Sequence, residues 1–252
     1  MTIKKFQYYN VGYWFMLFIF LAFAGFYTTY FTRIFEPNPP IIHFHFVLMA
    51  IWLAMLIAQP FLIKYKKLAW HRLIGKISYV LVPVLLFTGF LLMRNEYFRN
   101  IARLEKEVTD GLQAYSQPEI LKLASSSPIA LIYIVWFLLF YVWAIINRRN
   151  SNKHARYMVA TALTLTGPTV DRIIGIHFGI ESIAGVSSFI ISFLLIDMVL
   201  AYLLYLDYKH KRDTKALWTC LLVYVIGQLF FFIVPLFDWW AIVMQFIMVT
   251  KT

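Results

Sequence analysis

Seven apolar segments of roughly 20 residues or more divide the chain and leave little room for any other kind of fold. A helix of ~20 residues crosses the ~30 Å hydrocarbon layer of a bilayer. In lipid, an open segment can satisfy its backbone polar groups only as a helix. The sequence therefore predicts an all-α, polytopic transmembrane bundle of about seven helices, over residues 11–32, 41–63, 72–93, 128–147, 156–179, 183–206 and 216–235.

Composition agrees with a membrane protein of one domain. Apolar residues make up 62% of the 252 residues, more than a soluble domain of this length needs. We expect a single transmembrane domain over 1–252. The one cysteine, Cys220, excludes an internal disulfide framework and a multi-cysteine metal or iron–sulfur site, so we interpret it as an apolar filler.

The first apolar segment shares two features with a signal peptide. Lys4 and Lys5 precede it, and "AFAG" at 22–25 offers small residues of the kind found at cleavage sites. The apolar run nevertheless continues to about residue 32. We therefore interpret residues 11–32 as a retained first span.

Basic residues predict the orientation. Of the 23 Lys and Arg residues, 15 fall in the N-terminus and in every second connection, on one side of the predicted bundle. The positive-inside rule makes that side cytoplasmic, which puts the N-terminus inside a bacterial inner membrane. The formal charge of +11 is then an insertion signal and a contact for anionic lipids, and nucleic acid binding is unsupported. The 15 are Lys4, Lys5, Lys64, Lys66, Lys67, Arg72, Lys76, Arg148, Arg149, Lys153, Arg156, Lys209, Lys211, Arg212 and Lys215.

Two segments outside the predicted spans carry their own patterns. The outer loop 94–128 mixes charge signs, and its "SQPE" stretch (116–119) is a helix-start signal, so we expect one or two amphipathic helices there. The tail 236–252 is apolar but short for another span. We expect it to lie at an interface, with Trp239 and Trp240 as anchors.

Polar residues within the predicted spans fall into layers. Helical spacing puts His45 and Gln59 on one face of the second helix, because steps of seven residues return to nearly the same angle. The inner layer contains Gln59, His71 and His154. The outer layer contains His45, Asp171, Arg172 and His177, while Asp197 and Gln228 lie near the midplane.

Charged side chains within a predicted span face the bundle interior and are paired, or they line a wet cavity. We expect Arg172 to point inward with Asp171 or Asp197 as its counter-charge. Simpler interpretations stay open. The Asp171–Arg172 pair fits a structural ion pair, and His71 and His154 fit interfacial histidines bonded to backbone carbonyls or lipid phosphates. Three basic residues at the same end fit headgroup anchors: Arg72, Lys76 and Arg156.

Three stretches, "IHFHFVLMAIWLAMLIAQP", "AWHRLIGKISYVLVPVLLFTGFLL" and "NKHARYMVATALTLTGPTVDR", resemble a bacterial family of predicted membrane proteins with a domain of unknown function. That family has a His opening one helix, a Gln about fourteen residues on, then "HRxLG", "HxxxM" and an Arg. The matching positions span about residues 41–172, with Ile74 where the pattern has Leu. They are His45, Gln59, His71-Arg72-Leu73-Ile74-Gly75, His154, Met158 and Arg172. The resemblance implies a fold unit and no activity.

A weaker similarity is to the b-type cytochrome bundles of ascorbate- and quinone-linked redox proteins, which place His pairs on neighbouring helices at two depths. The sequence departs from them because its inner histidines open their helices. A haem held there would lie half in the headgroup region.

These patterns leave three hypotheses. The first is a redox protein in which His45, His71, His154 and His177 bind haem b or a transition metal, since neutral imidazole is a common ligand for both. The second is a transporter or channel for a small solute, protons or lipid, with Asp171, Arg172 and Asp197 forming the path. The third is a structural or assembly subunit of a membrane complex. An enzyme of lipid chemistry is a further alternative, although no "HExxH"-like spacing supports a zinc hydrolase.

Overall fold

The computed structural model of the protein describes residues 10–249, and over them the chain is all-α apart from one short hairpin. Two-residue strands, Ser182–Ile183 and Val186–Ser187, form that antiparallel hairpin. The helices in chain order are α1 (Val11–Phe26), α2 (Pro40–Lys64), α3 (Leu68–Thr109), α4 (Gln117–Ala124), α5 (Ile129–Ile146), α6 (Ser151–Leu163), α7 (Thr166–Arg172), α8 (Phe189–Lys209), α9 (Lys215–Ile233) and α10 (Trp239–Val249).

Within residues 10–249, five helical stretches are long and apolar enough to cross a membrane. They are Pro40–Lys64, Leu68–Thr109, Gln117–Ile146, Phe189–Lys209 and Lys215–Leu236. The count of seven spans stays a prediction, because two of the predicted segments form shorter helices. Lys4, Lys5 and the last three residues of the predicted tail lie outside the described residues.

The first of these two is the predicted segment 11–32. Its helix α1 has 16 residues and ends at Phe26, and a single 3₁₀ turn, Phe31–Arg33, follows. At about 1.5 Å per residue, α1 is about 24 Å long, short of the ~30 Å hydrocarbon layer. Its close contact with α7 occurs at Gly25, where an added β-carbon would lie 2.5 Å from the Thr169 carbonyl oxygen.

The second is the predicted segment 156–179, which is interrupted. It forms α6, then α7, then a π-helical turn, Ile173–His177. Pro168 explains the interruption, because it has no N–H to bond the carbonyl of Thr164 one turn earlier. Threonine hydroxyls around the break bond carbonyls of the preceding turn instead: Thr161 to Tyr157, Thr164 to Thr161, and Thr169 to Leu165 and Thr166. Such bonds keep irregular backbone satisfied at membrane depth.

The segment 94–128, predicted to be an outer loop, is helical over most of its length. Its first helix is the unbroken continuation of α3, which runs for 42 residues to Thr109. The second is α4, and its helix-start signal is confirmed as a capping box. The backbone N–H of Ser116 donates to the Glu119 carboxylate at 2.7 Å.

The end of the chain packs onto this outer region through α10. Trp240 is buried and its indole N–H donates to the Ser125 carbonyl at 2.8 Å. Its expected role as an interface anchor is therefore wrong, because the ring fills a small core with Met93 and Tyr97 of α3. Trp239 is half exposed. Lys122 and Asp238 join α4 to the start of α10 with a 2.6 Å ion pair, and the Lys122 ammonium lowers the pKa of the Asp238 carboxyl.

The main core lies where α5, α6 and α9 meet. A β-carbon at Gly227 of α9 would lie 2.5 Å from the Trp136 indole nitrogen, so the absent side chain lets the two helices approach. The Tyr224 hydroxyl donates to the Ala160 carbonyl at 2.7 Å, which links α9 to α6. Cys220 is fully buried in this core, in agreement with a filler role.

Candidate functional site

Two polar sites lie at opposite ends of the bundle, and the first, the inner site, is formed by Gln59, His71 and His154. The end of α2 supplies the Gln59 amide, whose Nε2 donates to the His71 carbonyl at 3.3 Å. Gln59 Oε1 and His71 Nδ1 are both buried without a hydrogen-bond partner. Buried polar atoms normally have partners, so these two atoms mark a place where a further group fits.

His154 approaches this site from the start of α6. Its Nδ1 lies 2.8 Å from the Ala144 carbonyl oxygen. A carbonyl only accepts, so Nδ1 carries a proton, and in the neutral imidazole Nε2 then has the lone pair. The imidazoles of His71 and His154 lie close enough for their charges to interact. The inner site therefore contains two imidazoles that interact electrostatically, and the neutral form of His154 offers Nε2 as an acceptor or ligand.

Space beside the inner site comes from Gly75, one turn after His71 on the same face of α3. A β-carbon added there would meet Gln59 Nε2 at 3.9 Å and no other heavy atom within 4 Å. The face of α3 is therefore open at Gly75, with room for at least a β-carbon.

The structure does not bring the other two predicted histidines to this site. His45 lies fourteen residues before Gln59 on α2, about 21 Å away along the helix. Its Nδ1 donates to Thr88 Oγ at 2.8 Å, because the Thr88 proton is already used on the Leu85 carbonyl. His177 donates from Nε2 to the Ala24 carbonyl at 2.8 Å. Over residues 10–249, no group of three or more His, Cys, Asp or Glu side chains is placed to hold a metal ion.

The second site, the outer site, is formed by Tyr133, Asp171 and Ser192. The Tyr133 hydroxyl of α5 donates to Asp171 Oδ2 of α7 at 2.6 Å. The other carboxyl oxygen, Oδ1, is buried without a hydrogen-bond partner. The Ser192 hydroxyl of α8 lies close to both side chains, but its proton goes to the Phe189 carbonyl at 2.9 Å.

Arg172 follows Asp171 in the sequence, but its side chain does not form the ion pair expected with Asp171 or Asp197. Its guanidinium donates to the Pro168 carbonyl at 2.8 Å and lies 4.5 Å from the centre of the Phe26 ring. Among the described residues it forms no direct ion pair, although Asp171 is its main electrostatic partner. Asp197, the other expected partner, instead accepts a 3.0 Å hydrogen bond from Gln228.

The Asp197–Gln228 pair joins α8 to α9 near the middle of both helices. It lines a shallow groove of about 180 Å³ whose remaining walls are apolar. The shared hydrogen bond explains how these two midplane residues, singled out in the sequence, are accommodated between apolar helices.

A buried charge cluster that sequence reasoning missed lies at the same end as the inner site. Arg156 of α6 donates through Nε to Asp207 of α8 at 2.6 Å, and these side chains are 1% and 2% exposed. Arg212 Nη1 lies 3.5 Å from the other Asp207 oxygen. The expected role of Arg156 as a headgroup anchor is therefore wrong, because the guanidinium is enclosed by protein and paired.

Comparison of the chain with protein-family models, with curated proteins and with solved structures finds no match. The resemblance over residues 41–172 therefore stays an expectation drawn from the sequence, and the two polar sites carry the functional argument.

Proposed function

We propose that this chain is a multi-pass protein of a bacterial inner membrane that binds the iron of haem b between His71 and His154. The observation that carries the proposal is the orientation of His154. A metal-binding histidine almost always donates its other ring N–H to a carbonyl or carboxylate, which fixes the tautomer and strengthens the ligand nitrogen. The Ala144 carbonyl does this for His154, and its neighbour His71 has a ring nitrogen without a partner.

The number of ligands favours haem over a bare metal ion. A structural zinc site takes four protein ligands, and a catalytic zinc site takes three. The macrocycle of haem supplies four nitrogens to the iron, so the protein needs to supply only axial ligands. Two neighbouring imidazoles without a third His, Cys, Asp or Glu among the described residues match that requirement.

The surroundings of the inner site fit the remainder of such a cofactor. The open face at Gly75 leaves room for part of a flat ring beside His71. Basic residues cluster at the end of the bundle that contains the inner site, among them Arg72 and Lys153. They would attract haem propionates as well as anionic lipid headgroups. By the positive-inside rule this end is cytoplasmic.

Haem held by His71 and His154 would supply one-electron redox chemistry, with a potential set by its ligands, hydrogen bonds and burial. The hydrogen bond from His154 to the Ala144 carbonyl is one such influence, since it makes the other imidazole nitrogen a stronger electron-pair donor to a metal. A single site at one face does not carry electrons across the membrane. The proposed role is therefore electron exchange with a partner protein at the cytoplasmic side, within or next to a membrane complex.

Histidine variants test this proposal. We expect His71→Ala and His154→Ala to lose the reduced-minus-oxidised haem absorption bands of the purified protein. His177→Ala is the matched control, because its exposed imidazole bonds only the Ala24 carbonyl; it should keep the bands, and so should His45→Ala. Loss of the bands in the His45 or His177 variant with retention in both inner variants would overturn the proposal.

The interrupted helix favours transport as a second candidate function. Transporters place ion and substrate sites at breaks in membrane helices, and Asp171 lies near the end of the short helix α7, between the break after α6 and the π-helical turn Ile173–His177. If protons or a small solute pass here, vesicles containing the protein should show a flux that Asp171→Asn abolishes. An equal flux in wild-type and Asp171→Asn vesicles would rule out this role for the outer site.

A further inference from the structure

We infer that the groove between α8 and α9 docks a transmembrane helix of another membrane protein, and that this helix places an arginine or lysine against Asp197. The inference does not rest on haem binding, because neither Asp197 nor Gln228 belongs to the inner site. It names the face of the bundle on which a partner subunit packs and the chemistry by which the chain recognises that subunit.

Asp197 lies deep within the span formed by α8. Eight residues separate it from Phe189, where α8 begins, which places it about 12 Å along the helix axis. Gln228 lies about 20 Å along α9 from its first residue, Lys215. Both helices are long and apolar enough to cross a membrane. The pair therefore lies at the depth of the hydrocarbon layer, where carboxyl and amide groups need partners.

The two oxygens of the Asp197 carboxyl differ in their surroundings. Gln228 donates from Nε2 to Asp197 Oδ1 at 3.0 Å, which fixes the carboxyl between the two helices. The other oxygen, Oδ2, accepts no hydrogen bond from residues 10–249 and is not enclosed by them. Since both oxygens of a carboxylate are acceptors, Oδ2 is available to a donor that approaches through the groove.

The groove opens on the outside of the bundle. It is lined by Leu194 of α8 and Leu229 of α9, whose side chains are 51% and 53% exposed. In a membrane, such outward apolar side chains meet lipid tails. A carboxyl that opens between them departs from the usual arrangement, in which charged side chains within a span face the bundle interior. A further helix packed over the groove restores that arrangement.

The size of the groove favours a side chain over a whole small molecule. Its volume is about 180 Å³, whereas pockets that enclose small-molecule ligands are commonly about 300–1,000 Å³. Apart from Asp197 and Gln228, the lining residues are apolar. Membrane helices pack through van der Waals contact of this kind, and polar side chains that bond across the contact add to it. A partner helix that inserts one side chain into the groove meets both conditions.

Charge selects the residue that the partner helix carries. A basic side chain both pairs with the carboxylate and donates to Oδ2, whereas an acidic side chain would repel it. A second copy of this chain packed groove to groove is disfavoured for the same reason. A twofold contact places the same patch on both sides, so it would bring the two Asp197 carboxylates together. The groove therefore fits a different protein, with an arginine or lysine in the middle of its own span.

Synthetic membrane helices test the inference with the purified full-length protein in lipid vesicles. The probe is a leucine–alanine helix of about 20 residues with one central arginine, and its control has leucine at that position. Association is measured by energy transfer from a fluorophore on the protein to one on the peptide. We expect the wild-type protein to bind the arginine peptide about tenfold more tightly than the leucine peptide, as for one interhelical polar contact.

Two variants should remove this preference for the arginine peptide. Asp197→Asn removes the negative charge and keeps an oxygen for the Gln228 hydrogen bond, while Leu194→Trp narrows the groove and keeps the carboxyl. Val80→Trp, on an exposed face of α3, is the matched control for added bulk and should bind both peptides as the wild type does. Melting temperatures in detergent check that each variant is folded.

Equal binding of the two peptides to the wild-type protein would overturn the inference. So would an arginine preference that survives in Asp197→Asn or, if that variant does not fold, in Leu194→Trp. Either result would mean that the carboxyl faces lipid without a basic partner. Self-association of the wild-type protein that Asp197→Asn abolishes would place a second copy in the groove and contradict the choice of a different protein.

Discussion

Replacing Asp207 with Asn should lower the free energy of unfolding in detergent by about 3–5 kcal/mol. The carboxylate is 2% exposed and contacts two guanidinium groups, those of Arg156 and Arg212. Removing one partner of a buried ion pair leaves the other charge buried without compensation, which is the largest part of the cost. The effect should appear as a large fall in the unfolding midpoint during detergent titration.

Two controls separate this ion pair from a general effect of lost charge. Asp110→Asn makes the same substitution at an exposed helix end and should change the unfolding free energy by less than about 0.5 kcal/mol. The double variant Arg156→Met with Asp207→Leu should cost less than the sum of Arg156→Met and Asp207→Leu made singly, because the double variant removes the Arg156 guanidinium and the Asp207 carboxylate together. Strict additivity would mean that the two side chains do not stabilise each other.

Gly25→Ala should destabilise the protein by about 1–3 kcal/mol, although alanine usually favours a helix. The added β-carbon would lie 2.5 Å from the carbonyl oxygen and 2.9 Å from Cα of Thr169. These are backbone atoms, so relief requires α1 to move away from α7. Such a movement would also stretch the hydrogen bond from His177 to the Ala24 carbonyl.

Gly175→Ala is the matched control for this prediction. It adds the same methyl group in the π-helical turn after α7, where an added β-carbon has no heavy atom within 4 Å. Thermal stability in detergent should fall in Gly25→Ala and stay near the wild-type value in Gly175→Ala. Equal melting temperatures for the two variants would mean that the contact between α1 and α7 is looser than the structure describes.

Hydropathy predicted the long apolar helices well, because an open segment in lipid can satisfy its backbone polar groups only as a helix. It did not predict where a helix is interrupted, as in the segment 156–179. Pro168 lies in this segment, but its position does not show where the helix ends and restarts, which also involves threonine hydroxyls that bond the Thr161 and Leu165 carbonyls. Hydropathy also missed that α3 continues to Thr109, because beyond the apolar segment a polar helix and a polar loop have similar composition.

The polar sites were also only partly predictable, because spacing along a helix gives the depth of a residue but not its partner on another helix. Depth along each helix was enough to group Gln59, His71 and His154, since all three lie near helix ends on one side. Depth did not indicate which side chains on different helices contact each other. Asp207 stands 51 residues from Arg156 among basic residues, so its pairing is visible only once α6 and α8 pack together. For Arg172 the expected ion pair is replaced by a backbone carbonyl and an aromatic ring.

One haem is expected between His71 and His154, and the haem content of the wild-type protein tests this most directly. Pyridine haemochrome assay of the purified protein, together with quantitative amino-acid analysis, gives the number of haem b groups per chain. The proposed pair predicts one haem per chain, with His45 and His177 left out. A protein that contains no haem after expression with ample haem supply, or one that contains two, would contradict it.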